Sequence, residues 1–411
     1  MTRILKMLRL FWIISDSVKD IANMKREIYL DNSATTPLSE ASRKKIYEMI
    51  EIYGNPSSLH SIGQSAEKTV AEARKIILSA LGVRAREGEL IFTSCGTEAT
   101  ALAILGSAHA KQRREALRIL TSDSEHPSVQ KNLEALEKEG FEIVRIPTKS
   151  GILDLDAIEA SLDKKIFLAS FMLVNNETGA LYDVGAAFAK IKSRYPEAIT
   201  HCDAVQGFMK VPFTPAVLKA DLVSVSGHKL HAPKGVGALY ISADMIKKKK
   251  IVPFLLGGGQ ESGMRSGTEN TIGIAAFGAS VADIKSRFAQ NRAHFEEIYA
   301  YACEKIESLG IRINRPAKAY AHHVINITVP NIKSETLLHF LSADGIFVSS
   351  GSACSSHSKA PSGTLVAFGL SAKDIDSSLR ISLSEYNTKE DIDALCASLT
   401  SALERLVRIK R

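Results

Sequence analysis

Lys229 stands just past an apolar, β-branched run in "DLVSVSGHKLHAPKGVGALY", close behind Ser226 and His228. A primary amine at a strand end can form an imine with a carbonyl compound, although most lysines are simply solvated. A second apolar run, "AITHCDAVQ", ends in Asp203 and Gln206. A carboxylate there can keep a pyridine nitrogen protonated, and Gln206 can donate to a phenolate oxygen; read alone, Asp203 is a helix cap. His126 in "SDSEHPSVQ" opens a helix, where an imidazole can stack on an aromatic ring and relay protons, or serve as an ordinary first-turn residue. Asn175 and Asn176 in "MLVNNETGALYDV" are adjacent amides that are costly to bury unless they are bonded. Arg380 lies inside "SSLRISL", where a guanidinium needs a carboxylate partner or the surface. In "ELIFTSCGTEATALAIL" a strand gives way to a small-residue turn and a helix. Cys95, Gly96 and Thr97 then lie at a helix N-terminus, whose free amides suit a phosphate.

One thiol is oddly placed. Cys354 lies in "SSGSACSS", among glycine and serine rather than in the apolar surroundings a structural thiol favours. Such a stretch reads as an exposed, mobile loop.

The elements that must position these groups are legible as alternation. Short β-branched runs separate helical stretches from Glu27 to about Ser242, which implies a mainly parallel sheet covered on both faces. Helical periodicity covers Ser39–Tyr53, Gly63–Leu81, Glu98–Gln112, His126–Glu139 and Val184–Arg194. Beyond Gly259 the character changes. A Gly-rich stretch precedes a long helix, Ala289–Leu309, then strands "VINITV", "IFVSS" and "SLRISL", a helix at Ser334–Ala343 and another from Lys389 onward. In an open parallel sheet ligands bind where strands end. Lysine, acid, amide, imidazole and anion turn all fall at strand ends, and together they are what a pyridoxal phosphate site requires.

Composition narrows the class. The chain has 411 residues, 45% hydrophobic and 24% charged, with 52 Lys and Arg against 45 Asp and Glu, a net charge of +7. That is an ordinary globular balance and weak support for a nucleic-acid partner. The one dense run, "MIKKKKIVP", reads as a solvated turn rather than an anion-docking patch. Five cysteines with no C-x-x-C pair argue against a disulfide framework or zinc ribbon and for a reducing, cytoplasmic setting. The apolar run Leu8–Ile14 contains Arg9 and is too short to span a bilayer. Residues 1–23 read as an upstream-start extension or a surface helix, with a natural start at Met24, rather than as a targeting signal.

Taken in order, "YLDNSATTP", "GNPSSLHSIGQSA", "IFTSCGTEA", "EHPSV", "NNETG", "HCDAVQ", "SGHKLHAPKGVGALY", "GGGQESGMRSGTEN" and "SSGSACSS" resemble the cysteine desulfurases, within the class V aminotransferase family of pyridoxal-phosphate enzymes, from about Glu27 onward. The resemblance implies an α/β, fold-type I enzyme. Its large domain, 39–287, would hold a mainly parallel seven-stranded sheet between helices. A smaller α+β domain, 24–38 with 288–411, would carry the cysteine loop. It implies that Lys229 carries the cofactor, Asp203 pairs with the pyridinium, Gln206 meets the phenolic oxygen and His126 stacks on the ring. Cys95, Gly96, Thr97, Ser226 and His228 would surround the phosphate, with Thr268 supplied by the second subunit of a homodimer. Asn176 and Arg380 would hold the carboxylate of L-cysteine, and Cys354 would take its sulfur as a persulfide, with His126 able to accept a proton. No metal is implied. The implied partners are sulfur acceptors such as an iron–sulfur scaffold or a sulfur carrier, with no direct nucleic acid and no membrane. A selenocysteine lyase or another class V aminotransferase is the alternative, and a binding scaffold that retains the fold is a third reading. The chain departs from the family at Cys95, where glycine is usual, in "KAPS" at Lys359–Ser362 for the usual "LEPS", and at Ser384, where glycine is common.

Overall fold

The computed structural model describes residues 26–84, 86–110, 117–350 and 361–406. The N-terminal extension and Cys354 lie outside the described residues.

Strands are numbered in chain order: β1 (Ile28–Tyr29), β2 (Gly88–Thr93), β3 (Arg118–Ser122), β4 (Glu142–Ile146), β5 (Ile166–Met172), β6 (Ile199–Asp203), β7 (Leu222–Ser226), β8 (Gly237–Ser242), β9 (Arg312–Ile313), β10 (Val324–Thr328), β11 (Ile346–Phe347) and β12 (Ser378–Ser382). Seven of these form one sheet in the order β2-β8-β7-β6-β5-β3-β4. Pairing is parallel from β7 to β4, while β8 runs antiparallel to both of its neighbours. With β8 alone reversed, β2 points the same way as the rest, so the carboxyl ends of β2, β7, β6, β5 and β3 meet at one edge. Every residue of β5, "IFLASFM", is buried. That is the signature of a central strand covered on both faces. β4, at the margin, is largely uncovered and carries Glu142 and Arg145, as an edge strand protected by charge should.

Helices Gly96–Ala110 and Pro127–Lys138 pack against one face of the sheet. Ser61–Ala80, Val184–Arg194 and Thr271–Ser286 cover the other. Thr271–Ser286 falls in the stretch read from sequence only as Gly-rich. Nine of its sixteen residues are buried, and most are Gly, Ala or Ser, so it lacks the polar face that makes a helix visible as a pattern. Its Gly278 is required by close packing, because a Cβ there would lie 2.8 Å from the Cβ of Ala73.

A second apolar cluster gathers β1, β10, β11 and β12 with helices Phe288–Ser308, Ser334–Ala343 and Lys389–Leu406. β10 pairs with β9 and β12, and β1 pairs with β11. The strand read at "EIYLDN" is confined to Ile28–Tyr29. Past it the chain turns, the Asn32 amide donating to Tyr29 O and Ser382 O. It then crosses to the large sheet, where Thr36 N donates to His228 O at 2.9 Å. Residues 31–36 therefore run between the two clusters and border the edge where the strands end.

The lysine run is a surface turn held by acids: Lys250 pairs with Glu197 at 2.7 Å, and Lys248 with Glu197 and Asp244 at 3.1 Å each. Among the described residues no helix is long and apolar enough to cross a membrane.

The approach to Thr268 is fixed by a buried acid. Glu261 receives both terminal nitrogens of Arg74, at 2.8 and 2.7 Å, and Phe92 N at 2.7 Å. Its side chain is 2% exposed, that of Arg74 28%. Glu261→Ala leaves a mostly covered guanidinium with only Leu90 O and the Phe92 ring as partners, and takes the carboxylate from a buried strand amide. It should cost about 3 kcal/mol, the lower end for breaking a buried pair because water can reach Arg74. Urea unfolding of the variant measures this, and a loss within 0.5 kcal/mol, the usual range for surface changes, would show that the clamp contributes nothing.

Candidate active site

Five strand ends and the crossing segment enclose one cavity of about 180 Å³. Its lining includes Cys95, Gly96 and Thr97 after β2, His126 after β3, Asn176 after β5, Asp203 and Gln206 at and after β6, and Ser226, His228 and Lys229 at and after β7, with Arg380 from β12. Eleven of the residues singled out in the sequence are thus brought together. Thr268 is not among them. It is exposed, and it lines a separate cavity with Ser94, Gly235 and Arg265. Ser33, Ala34, Ser128, Met172, Val174 and Val205 also line the main cavity and were not anticipated. Ser33 and Ala34 lie within "YLDNSATTP", whose Asn, Ser and Pro after a strand are the ordinary signal of a turn.

Lys229 sits on the 3-10 turn Gly227–Lys229. Its Nζ donates to Ser33 O and Ala34 O, both at 2.6 Å. Asp203 is buried at the end of β6, and its Oδ1 accepts from Val205 N at 3.0 Å. Loss of water pushes the Asp203 carboxyl up to about 6, despite the opposing pull of the Lys229 charge. Burial likewise lowers His126 to about 4 and His228 to about 4, with the Lys229 ammonium adding to both. Both imidazoles are therefore neutral at pH 7.

Gln206 Nε2 donates to Ser33 O at 2.9 Å. Gln206 Oε1 and Ser226 Oγ are buried with no partner among the described residues. Orphaned buried polar atoms in residues that line a cavity call for a polar ligand. The turn before helix Gly96–Ala110 is tight, and a Cβ on Gly96 would lie 3.0 Å from Val205 Cγ2 and 3.2 Å from Ser226 Cβ. The first amides of this helix lack intrahelical acceptors, so the turn can bind an anion.

Arg380 is 1% exposed and finds the carboxylate a strand arginine needs: Nη2 reaches Asp31 Oδ1 at 2.7 Å. Nη1 donates to Asn176 O at 3.1 Å, which ties the guanidinium to the loop after β5. Asn175 is fully buried and bonded, its Oδ1 accepting from Glu177 N and Thr178 N. It shapes the loop, and Asn176 faces the cavity.

Sequence reading overlooked Glu125. It precedes His126 in the chain and is fully buried, with Oε1 accepting from Ser122 Oγ at 2.6 Å and Met172 N at 2.9 Å. It thereby joins the loop after β3 to the end of β5. Burial pushes this carboxyl up to about 8, with Asp203 adding to the rise.

A model of the family described as aminotransferase class-V matches residues 28–395. A relative named cysteine desulfurase IscS, from Dictyoglomus turgidum, is 37% identical over 391 residues, 93% of this chain and 96% of the relative. One named cysteine desulfurase, from Nostoc sp., is 36% identical over 385 residues, 92% of this chain and 93% of its own length. A solved structure of a NifS-like protein superposes with a TM-score of 0.85 at 32% identity, covering 92% of this chain and all of that one. SspA in complex with cysteine gives 0.75 at 28% identity, covering 88% and 100%.

Because the folded Glu125 carboxyl titrates above its unfolded value, its contribution to stability is fully present below about pH 4.5 and is lost as pH rises through about 8. Glu125→Gln keeps an acceptor oxygen and cannot ionise. The stability of the wild type relative to this variant should therefore fall by a few kcal/mol between those limits. Chemical denaturation across the range tests this; a constant difference would mean that Glu125 is ionised in the fold.

Proposed function

The chain belongs to the aminotransferase class-V family, and on that premise we propose that it is a cysteine desulfurase, taking L-cysteine to L-alanine and moving the sulfur to Cys354. The observation that carries this reading is the convergence of Lys229, Asp203 and Arg380 on one cavity.

Pyridoxal 5'-phosphate fits the donor set. Lys229 offers the amine for its carbonyl and Asp203 the acid for its ring nitrogen. The Gly96 turn, Thr97, Ser226 and His228 offer donors for its phosphate, and the orphaned Ser226 Oγ would gain an acceptor there. Gln206 Oε1 could accept only from a protonated phenolic oxygen, because its Nε2 donates to Ser33 O. When bound, the cofactor supplies an electron sink for the carbanion at the substrate Cα.

The chain's own groups do the rest. Arg380 and Asn176 hold the substrate carboxylate and so orient the Cα–H bond. Lys229, once its amine is free, takes the Cα proton and returns one to carbon. Asp203 keeps the proton on the ring nitrogen. His126, which lines the cavity, would pack on that ring. The Cys354 thiolate attacks the substrate sulfur: a sulfur–sulfur bond forms, the carbon–sulfur bond breaks, and its electron pair stays with the carbon that becomes the methyl of alanine. No external oxidant is needed, because the two electrons the sulfurs lose on becoming a persulfide stay with the carbon that becomes the methyl of alanine.

Thr268 belongs to the phosphate site of the partner in a homodimer, which accounts for its place outside its own chain's cavity. The enzyme works in the cytoplasm, and its persulfide passes to an acceptor protein for iron–sulfur cluster assembly or another thiolation pathway. The relatives named for that activity, and the neighbour bound to cysteine, support the substrate.

Lys229→Ala should remove the visible absorbance band of the bound cofactor and lower alanine formation by at least about 100-fold, the low end for a lost acid–base group. Cys354→Ala should keep the band but form no persulfide. Alanine assays with cysteine and selenocysteine, and a persulfide trap, read both variants. Full turnover of cysteine by Cys354→Ala would sink the desulfurase reading, and activity confined to selenocysteine would make the protein a lyase.

A further inference from the structure

We infer that His126 presents an N–H rather than a lone pair to the cavity, and that Ser128 is the positioning residue that fixes this tautomer. The inference deepens the proposed reaction and assumes its site.

His126 is the N-cap of helix Pro127–Lys138. Pro127 has no N–H, so the amide of Ser128 is the first donor the helix must satisfy. It donates to His126 Nδ1 at 3.1 Å. A backbone amide can only donate, so Nδ1 carries the lone pair. Ser128 Oγ lies 2.8 Å from the same nitrogen, and with a lone pair already required there by the amide, the hydroxyl must be the donor. A neutral imidazole whose Nδ1 accepts must hold its proton on Nε2. Nε2 has no partner among the described residues, and His126 lines the cavity.

The ring has little freedom to exchange roles. On one side Glu125 is anchored through its carboxyl to Ser122 and to Met172 N. Gln130 Nε2 bonds Glu125 O at 2.7 Å. Turning the imidazole would unsatisfy the helix N-terminus. Protonating Nδ1 would set a proton against the Ser128 amide and a cation against the positive end of the helix.

The chemical consequence concerns sulfur. Nε2–H can donate to a thiolate, whether on the substrate or on the incoming cysteine, and so stabilise negative charge there. It cannot take the thiol proton, because its only lone pair is committed to the helix. Proton removal falls to another group, and the amine of Lys229 is the base the cavity offers.

The test is the ¹⁵N spectrum of histidine-labelled protein, with and without bound pyridoxal phosphate, at the pH of the alanine assay. His126 is assigned by its absence in His126→Asn. An unprotonated Nδ1 and a protonated Nε2 are expected. In Ser128→Ala the Nδ1 signal should move to higher frequency as one donor is lost, and kcat should fall severalfold; Ser128→Thr should restore both. A protonated Nδ1 in the wild type, or an Nδ1 signal unmoved in Ser128→Ala, overturns the inference. Failure of the protein to make alanine would overturn the proposed reaction and leave the tautomer reading standing, because the spectrum does not depend on turnover.

Discussion

A carboxyl group deprived of water at the floor of the cavity is the constraint on which the site depends. Asp203 sits where β6 ends, flanked by the ends of β5 and β7, and the one neutral hydrogen bond at its Oδ1 does not offset the loss of hydration. Such a group stays ionised only if a cation meets it. Lys229 contributes from the side, yet its ammonium is engaged by two carbonyls of the crossing segment. A protonated heterocycle bound at Asp203, as the proposed function requires, would supply the missing charge and in turn be kept protonated. Burial of the acid and affinity for the ring are thus one interaction seen from two sides.

The fold serves this by stacking strand ends. Reversal of β8 alone lets β2, with its anion turn, share an edge with the parallel strands although it lies two places from β7. The segment 31–36 then closes the cavity from the side of the second cluster. Asp31 holds Arg380, Ser33 and Ala34 hold Lys229, and Ser33 O holds Gln206. A short stretch near the start of the described chain therefore links Gln206, Lys229 and Arg380, the groups proposed to address cofactor and substrate.

Much of this was readable in the sequence because strand ends announce themselves: an apolar run followed by Ser, Gly, His or Asp. Lys229, Asp203, His126 and the Cys95–Thr97 turn each followed such a run, and they meet. What stayed hidden obeys a different logic. Helix Thr271–Ser286 is covered on most sides and so shows no two-faced pattern. The reversal of β8 depends on a connection too short for a helix. The pairing of Arg380 with Asp31 spans 349 residues, and only the need for some carboxylate could be inferred. Glu125 adjoins a candidate, but a glutamate beside a histidine reads as surface. Only its burial against Ser122 and Met172 exposes its role as a clamp.

Charge balance in the cavity narrows what can occupy it. His126 and His228 are neutral by burial. Of the lining residues, Lys229 and Arg380 are cations, and Asp203 is the acid. Asp31 attends to Arg380 from behind. A ligand that brought only positive charge would leave an excess of positive charge among buried groups, which is expensive. A ligand pair carrying a phosphate, a ring cation and a carboxylate would distribute its charges to the turn, to Asp203 and to Arg380. An amino acid joined to a phosphorylated heterocycle has that pattern, whereas a simple amine lacks the carboxylate and leaves the guanidinium with Asp31 alone. Selection for an amino acid therefore follows from electrostatics before any contact with the side chain is considered, and the identity of that side chain is left to the group that attacks it.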